Sequence, residues 1–150
     1  MYKSTKTYGH DVGLSVAFRQ WRAKSKCHFI HGYALKIRLE FSANELDKNN
    51  WVVDFGNMKR LKQALQDLFD HKMLVARDDP HLDWLMEAHN RGIADVVTVE
   101  STGCEKFAEM VYNMANAWLI SEGYSPRCRL DSVEVSEHGA NSAIYIPESK

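Results

Sequence analysis

The 150-residue sequence holds only three cysteines, Cys27, Cys104 and Cys128. They are odd in number and lack paired spacing, which excludes a disulfide framework and leaves each thiol to packing or to chemistry. No apolar run approaches the roughly 20 residues needed to span a bilayer, and Met1–Lys6 lacks the apolar centre of a secretory signal. The expected address is therefore the cytoplasm. Excess charge of one sign is missing too: 19 Lys and Arg meet 20 Asp and Glu, so no global field draws the chain to nucleic acid or to an anionic membrane. A small neutral or anionic ligand is the expected partner. Prolines are few, and Pro80, Pro126 and Pro147 fall between or after the periodic segments. With no repeat, linker or low-complexity tract, residues 1–150 read as one domain.

What is present is hydrophobic patterning. From Tyr8 to Phe18 the even positions are Tyr8, His10, Val12, Leu14, Val16 and Phe18, which predicts a strand, bulged at a glycine. Tyr33, Leu35, Ile37, Leu39 and Phe41 alternate with Lys36, Arg38 and Glu40, predicting a second strand paired with the first. The basic stretch between them, Arg19–Lys26, is either an ordinary solvated loop or a cover over a site. Met58, Leu61, Leu65, Leu68 and Phe69 lie at helical spacing, with Asp54 or Asn57 as cap. Leu82, Leu85 and Met86 suggest a short helix around Trp84 within the polar stretch 77–95. A second long helix starts at the capping-box pattern Thr102-Gly-Cys-Glu105, carries Phe107, Met110, Val111, Met114, Trp118 and Leu119 on one face, and ends at Gly123. Two closing strands, Leu130–Glu137 and Ser142–Ile146, flank the turn His138–Asn141. The order ββααββ predicts an α+β fold, an antiparallel sheet with both long helices on one face. The sheet face left uncovered predicts a symmetric homo-oligomer.

Several polar residues occupy positions where the pattern calls for apolar ones. His10 and His31 share parity with inward hydrophobes, and each is either a hydrogen-bonded core imidazole or a metal ligand. Cys27 stands four residues before His31 and beside Lys24 and Lys26, a setting that favours a thiolate. Glu137 extends the inward series Val133, Val135, either as an exposed strand end or as an anchor for a ligand ring bearing N–H donors. Asp70-His71 closes the first helix, as a favourable terminal charge or as a carboxylate-oriented base. Cys104 reads as a small packed residue and Cys128 as structural.

Taken together, Cys27-His-Phe-Ile-His31-Gly32-Tyr33, Trp51-Val-Val-Asp54-Phe55, Asp70-His71-Lys-Met-Leu74, Thr102-Gly-Cys-Glu105 and Glu137 resemble the family of 6-pyruvoyltetrahydropterin and 6-carboxytetrahydropterin synthases. The spacing of Cys27 to His31 is similar to the carboxytetrahydropterin branch, which serves queuosine biosynthesis. The resemblance implies the tunnelling fold (T-fold), in which subunits form trimers and stacked hexamers with active sites between subunits. It implies a lyase acting on 7,8-dihydroneopterin triphosphate, with zinc as Lewis acid. Cys27 would be the base, Asp70 and His71 its relay, Glu137 the ring anchor, and Thr102 with Glu105 a further substrate contact. For the metal, the set implied is His10, His31 and Tyr33, because Tyr33 stands where the family has another histidine. A second register places Phe18 rather than His10 at the first-strand position, and His28 or a partner-chain residue are other sources of a third donor. The alternatives are a 6-pyruvoyltetrahydropterin-type enzyme and a non-catalytic pterin-binding homologue with an altered metal site.

Overall fold

A computed structural model describes residues 1–148. In place of one bulged strand from Tyr8 to Phe18, the chain makes β1 (Tyr2–Tyr8), a single 3-10 turn (His10–Val12) and β2 (Leu14–Phe18). Gly13 closes that turn at φ 78°, a left-handed conformation open to glycine, and donates its N–H to the His10 carbonyl. The even-position pattern survives because Tyr8 and Leu14 are both buried on either side of the break. Within the break it misleads. His10 is exposed in the turn, and its Nδ1 bonds the Ala34 carbonyl rather than pointing into the core.

Strands β1 and β2 lie end to end against one long strand, β3 (His31–Ala43), from Tyr2 opposite Ala43 to Phe18 opposite His31. The other edge of β3 pairs with β6 (Cys128–His138), and β7 (Asn141–Tyr145) follows through the expected hairpin. Two strands were not foreseen. β4 (Lys72–Ala76) and β5 (Val96–Val99) run parallel to β2, so the sheet is mixed, in the order β5-β4-β2-β3-β6-β7 with β1 also on β3. Met73, Leu74, Val75 and Ala76 are all buried. A strand covered on both faces reads as a short apolar run, which periodicity cannot separate from the end of a helix.

Helices α1 (Lys59–Phe69) and α3 (Cys104–Ser121) cover one face, as expected. Leu61, Leu65, Phe69, Phe107, Val111 and Trp118 join the core built on Leu35, Ile37, Leu39, Phe41, Val133 and Val135. Helix α2 (Leu82–Asn90) realises the short helix around Trp84 and lies on the opposite face, with Leu85 against Met73, Val75 and Val96. The rest of that face, over Ser15, Gly32 and Ala34, carries small residues and no helix.

Two expected caps are replaced. Gly103, at φ 113°, is the N-cap of α3, and Thr102 donates its hydroxyl to the Arg19 carbonyl (2.7 Å) instead of completing a capping box. Asp54 accepts from the Gly56 N–H (2.8 Å) in the 3-10 turn before α1, so neither it nor Asn57 caps the helix itself. Gly123, at φ 77°, does follow the end of α3. No helix among the described residues is long and apolar enough to cross a membrane.

Candidate active site

Because Phe18 ends β2 directly opposite His31 at the start of β3, everything from Arg19 to Ile30 is the loop joining the two strands. Its basic residues read as solvated, yet Arg19 fixes it. The Arg19 guanidinium grips Asp79 at 2.7 and 2.8 Å and reaches the His28 carbonyl at 3.2 Å. Asp79 is buried and also accepts the His81 N–H. The Gln20 N–H donates to the Cys27 carbonyl at 2.9 Å. An otherwise costly buried charge is thus paired in a two-pronged geometry that a lysine cannot reproduce. The Arg19 guanidinium holds the Asp79 carboxyl below its usual range. Sequence reasoning missed this pin; an acid between short apolar segments was the only signal. Cys27 sits half-buried in the 3-10 turn Lys26–His28 that the loop ends on.

His31 Nδ1 lies 2.8 Å from the Phe29 carbonyl, which can only accept, so Nδ1 carries a proton and donates it there. The Phe18 ring stands 4.7 Å from the His31 ring, and the Tyr33 ring is edge-on to His31 at 5.6 Å. The His138 ring is 5.9 Å from that of Tyr33. Burial raises the Tyr33 phenol above its ordinary value, and the Glu137 carboxylate adds to the shift. Chain position brings the others close: Cys27 precedes His31 by four residues in the connecting loop, and Glu137 adjoins His138 in β6. Glu137, half-buried, comes from the irregular stretch of β6 between Ser136 and His138. Cys104, the first residue of α3, donates its thiol to the Val135 carbonyl at 2.9 Å, and burial pushes it up to about 11. It is the packed residue expected, and it also borders the site. One end of the sheet therefore gathers Cys27, His31, Tyr33 and Glu137.

The remaining candidates lie elsewhere. Asp70 and His71 form their pair, with His71 Nδ1 2.7 Å from the carboxylate, but the His71 side chain is 87% exposed. His71 borders a hollow with Ser15, Ala17, Gly32 and Ala34, residues of the sheet face opposite the core. Among the described residues no hydrogen bond or ion pair joins Asp70 or His71 to Cys27. Thr102 is committed to Arg19, and Glu105 is exposed on the first turn of α3.

The expected zinc donors do not fit. His10 is held on the Ala34 carbonyl, and Phe18, the other first-strand position considered, is the residue that stands opposite His31. Phenylalanine offers no donor atom, and a tyrosine binds zinc as the phenolate that this surrounding disfavours. Among the described residues no three His, Cys, Asp or Glu side chains are grouped to hold an ion.

A family model described as 6-pyruvoyl tetrahydropterin synthase matches residues 10–148. The chain is 32% identical over 88 residues to 6-carboxy-5,6,7,8-tetrahydropterin synthase of Rickettsia conorii, covering 58% of this chain and 61% of that protein. The match thus spans about three fifths of that relative's length. The enzyme of the same name from Aquifex aeolicus is 23% identical, across 99% of this chain and 90% of its own. Among solved structures, an uncharacterized Wolinella succinogenes protein superposes with a TM-score of 0.82 at 16% identity, covering 98% of both chains. The 6-pyruvoyl tetrahydropterin synthase of Plasmodium vivax does so with 0.67 at 14% identity, covering 97% of this chain and 98% of its own. These likenesses show the fold, an α+β T-fold subunit. With a family match running from His10 to Glu148, the last described residue, the protein belongs to the 6-pyruvoyl tetrahydropterin synthase family.

Proposed function

We propose that the chain is a lyase of the 6-carboxytetrahydropterin synthase type, converting 7,8-dihydroneopterin triphosphate and one water to 6-carboxytetrahydropterin, acetaldehyde and triphosphate. The names of its relatives support the queuosine pathway as its setting, and the cytoplasm as its compartment is part of the same proposal. The observation that carries the reading is the convergence of a half-buried thiol, an imidazole and a carboxylate at one end of the sheet. As carboxylate, Glu137 can accept two N–H donors from the edge of a pterin ring, and its neighbouring rings exclude water from that contact. Cys27, as thiolate, is the base for the substrate side chain. The Asp70 carboxylate orients the His71 ring through Nδ1 and leaves Nε2 to move a proton.

His71 faces outward, so its contribution belongs to the site of a neighbouring copy. A homo-oligomer, the hexamer of the T-fold, is proposed with it. Assembly would also cover apolar surface: Phe29, Ile30 and Trp84 are 59%, 49% and 73% exposed and border a hollow of about 700 Å³ with His28 and His81. Thr102 and Glu105 are proposed only as framing for the loop and the first turn of α3. Zinc dependence, implied by the resemblance, finds no three-donor set among the described residues, and no step is assigned to it.

A second reading, a pterin-binding homologue without turnover, is favoured by the same loss of donors. Incubating the purified protein with 7,8-dihydroneopterin triphosphate and identifying products by mass spectrometry separates the two. The lyase reading expects 6-carboxytetrahydropterin and acetaldehyde; unchanged substrate, bound but not consumed, would establish the binding homologue. A 6-pyruvoyl product would place the chain in the sister branch.

A further inference from the structure

Strand geometry brings three inward positions together at this end of the sheet: the last residue of β2 and two residues of β3 spaced by two. Three imidazoles there would make a metal centre. This chain has Phe18, His31 and Tyr33. Phe18 is 1% exposed, sits opposite His31, and is locked edge-on against Phe107 at 4.9 Å. It cannot swing aside to admit an ion without opening the core. His31 and Tyr33, both half-buried, present their rings in front of it, with His138 beyond Tyr33 and the half-buried Glu137 next to His138 in β6. The nearby Cys104 thiol is committed to the Val135 carbonyl.

Resting on the pterin-family reading, we infer that this chain has exchanged the metal centre for an aromatic wall. The wall takes a planar heteroaromatic ring against His31 and Tyr33, with Phe18 as backing and Glu137 at the ring edge, and it does so independently of divalent metal. Donor chemistry is the reason. A catalytic zinc normally rests on three protein ligands, and a lone imidazole holds it weakly. Aromatic side chains instead offer flat, polarisable contact to a ring, preferring offset or edge-on arrangements of the kind these residues already adopt among themselves.

The test combines a metal count with a ligand titration on the purified, assembled protein. Zinc is measured per chain by plasma mass spectrometry after dialysis against buffer. Fluorescent neopterin is then titrated into protein treated with EDTA and into protein supplied with equimolar zinc. The expected result is zinc far below one per chain and no shift in Kd between the two preparations. One zinc retained per chain, or neopterin binding lost in EDTA and restored by zinc, overturns the inference. Absence of neopterin binding in both preparations, with zinc low, defeats the pterin reading itself and the ligand proposed here with it. The double variant Phe18→His with Tyr33→His restores three imidazoles and is expected to gain one zinc per chain; a folded double variant that stays zinc-free contradicts the assignment of these positions. Should the buried Phe18→His change prevent folding, the wild-type count and titration still decide.

Discussion

Single residues show where the fold is least forgiving. Gly32 is one: a Cβ there would stand 2.4 Å from the Val16 carbonyl oxygen, so the backbones of β2 and β3 approach where only hydrogen fits. Gly32→Ala is expected to cost about 3 kcal/mol, the upper end for overpacking, read as a lower denaturant midpoint. Asp79 is another. Removing it strands the Arg19 guanidinium in a largely buried position, so Asp79→Asn should cost about 3 kcal/mol, within the range for breaking a buried pair. The folded carboxyl lies below its usual 3.8. Its contribution is therefore complete above that value and disappears as pH falls through the depressed one. Measured by urea unfolding, the gap between wild type and Asp79→Asn should hold steady from neutral pH down to about 4, the range above an unperturbed Asp, and narrow below. A gap unchanged in stronger acid would contradict the ionised pair. At this scale parity was a fair guide at the site, since His31 and Glu137, expected to face inward, are both half-buried, whereas the Arg19–Asp79 pin joins residues too far apart in sequence for any local pattern to reveal it.

Elements show which signals were trustworthy. Alternation located β3, β6 and β7, and helical spacing located α1 and α3, because each of these buries one face and leaves the other wet. Strand β4 is covered by helices on both sides and therefore lost the alternation that would have announced it, while β5 is a four-residue edge strand too short to show one. The run from Tyr8 to Phe18 failed differently: a 3-10 turn between Gly9 and Gly13 preserved parity while removing the strand, which is why His10 looked inward and is not. The capping box at Thr102 also failed, since Gly103 supplies the cap conformation and frees the Thr102 hydroxyl for Arg19. Two variants check this. Thr102→Val should lose about 1 kcal/mol for one hydrogen bond, visible as a lower Tm, while Glu105→Gln should leave Tm nearly unchanged; a large loss from Glu105→Gln would restore the box.

Across the whole molecule, Cys27 lies in the loop at one end of the sheet while His71 borders the face opposite the core. The proposed mechanism therefore relies on assembly to bring the thiol of one subunit to the imidazole–carboxylate pair of another. Mixed oligomers of Cys27→Ala and His71→Ala, each inactive alone, are accordingly expected to recover part of the turnover, because some sites then combine an intact thiol from one subunit with an intact relay from another. No recovery despite demonstrated subunit exchange would place the whole reaction within one chain. Consistent with this division, the part of that sheet face beyond α2 carries no helix among the described residues, and apolar side chains are exposed in the loop that carries Cys27. The most direct measurement is a neopterin titration of three proteins side by side: wild type, Cys27→Ala and Glu137→Ala. Binding should be retained in Cys27→Ala and lost in Glu137→Ala; a Glu137→Ala protein that folds and binds as tightly as wild type would show that the ring is not held at this end of the sheet.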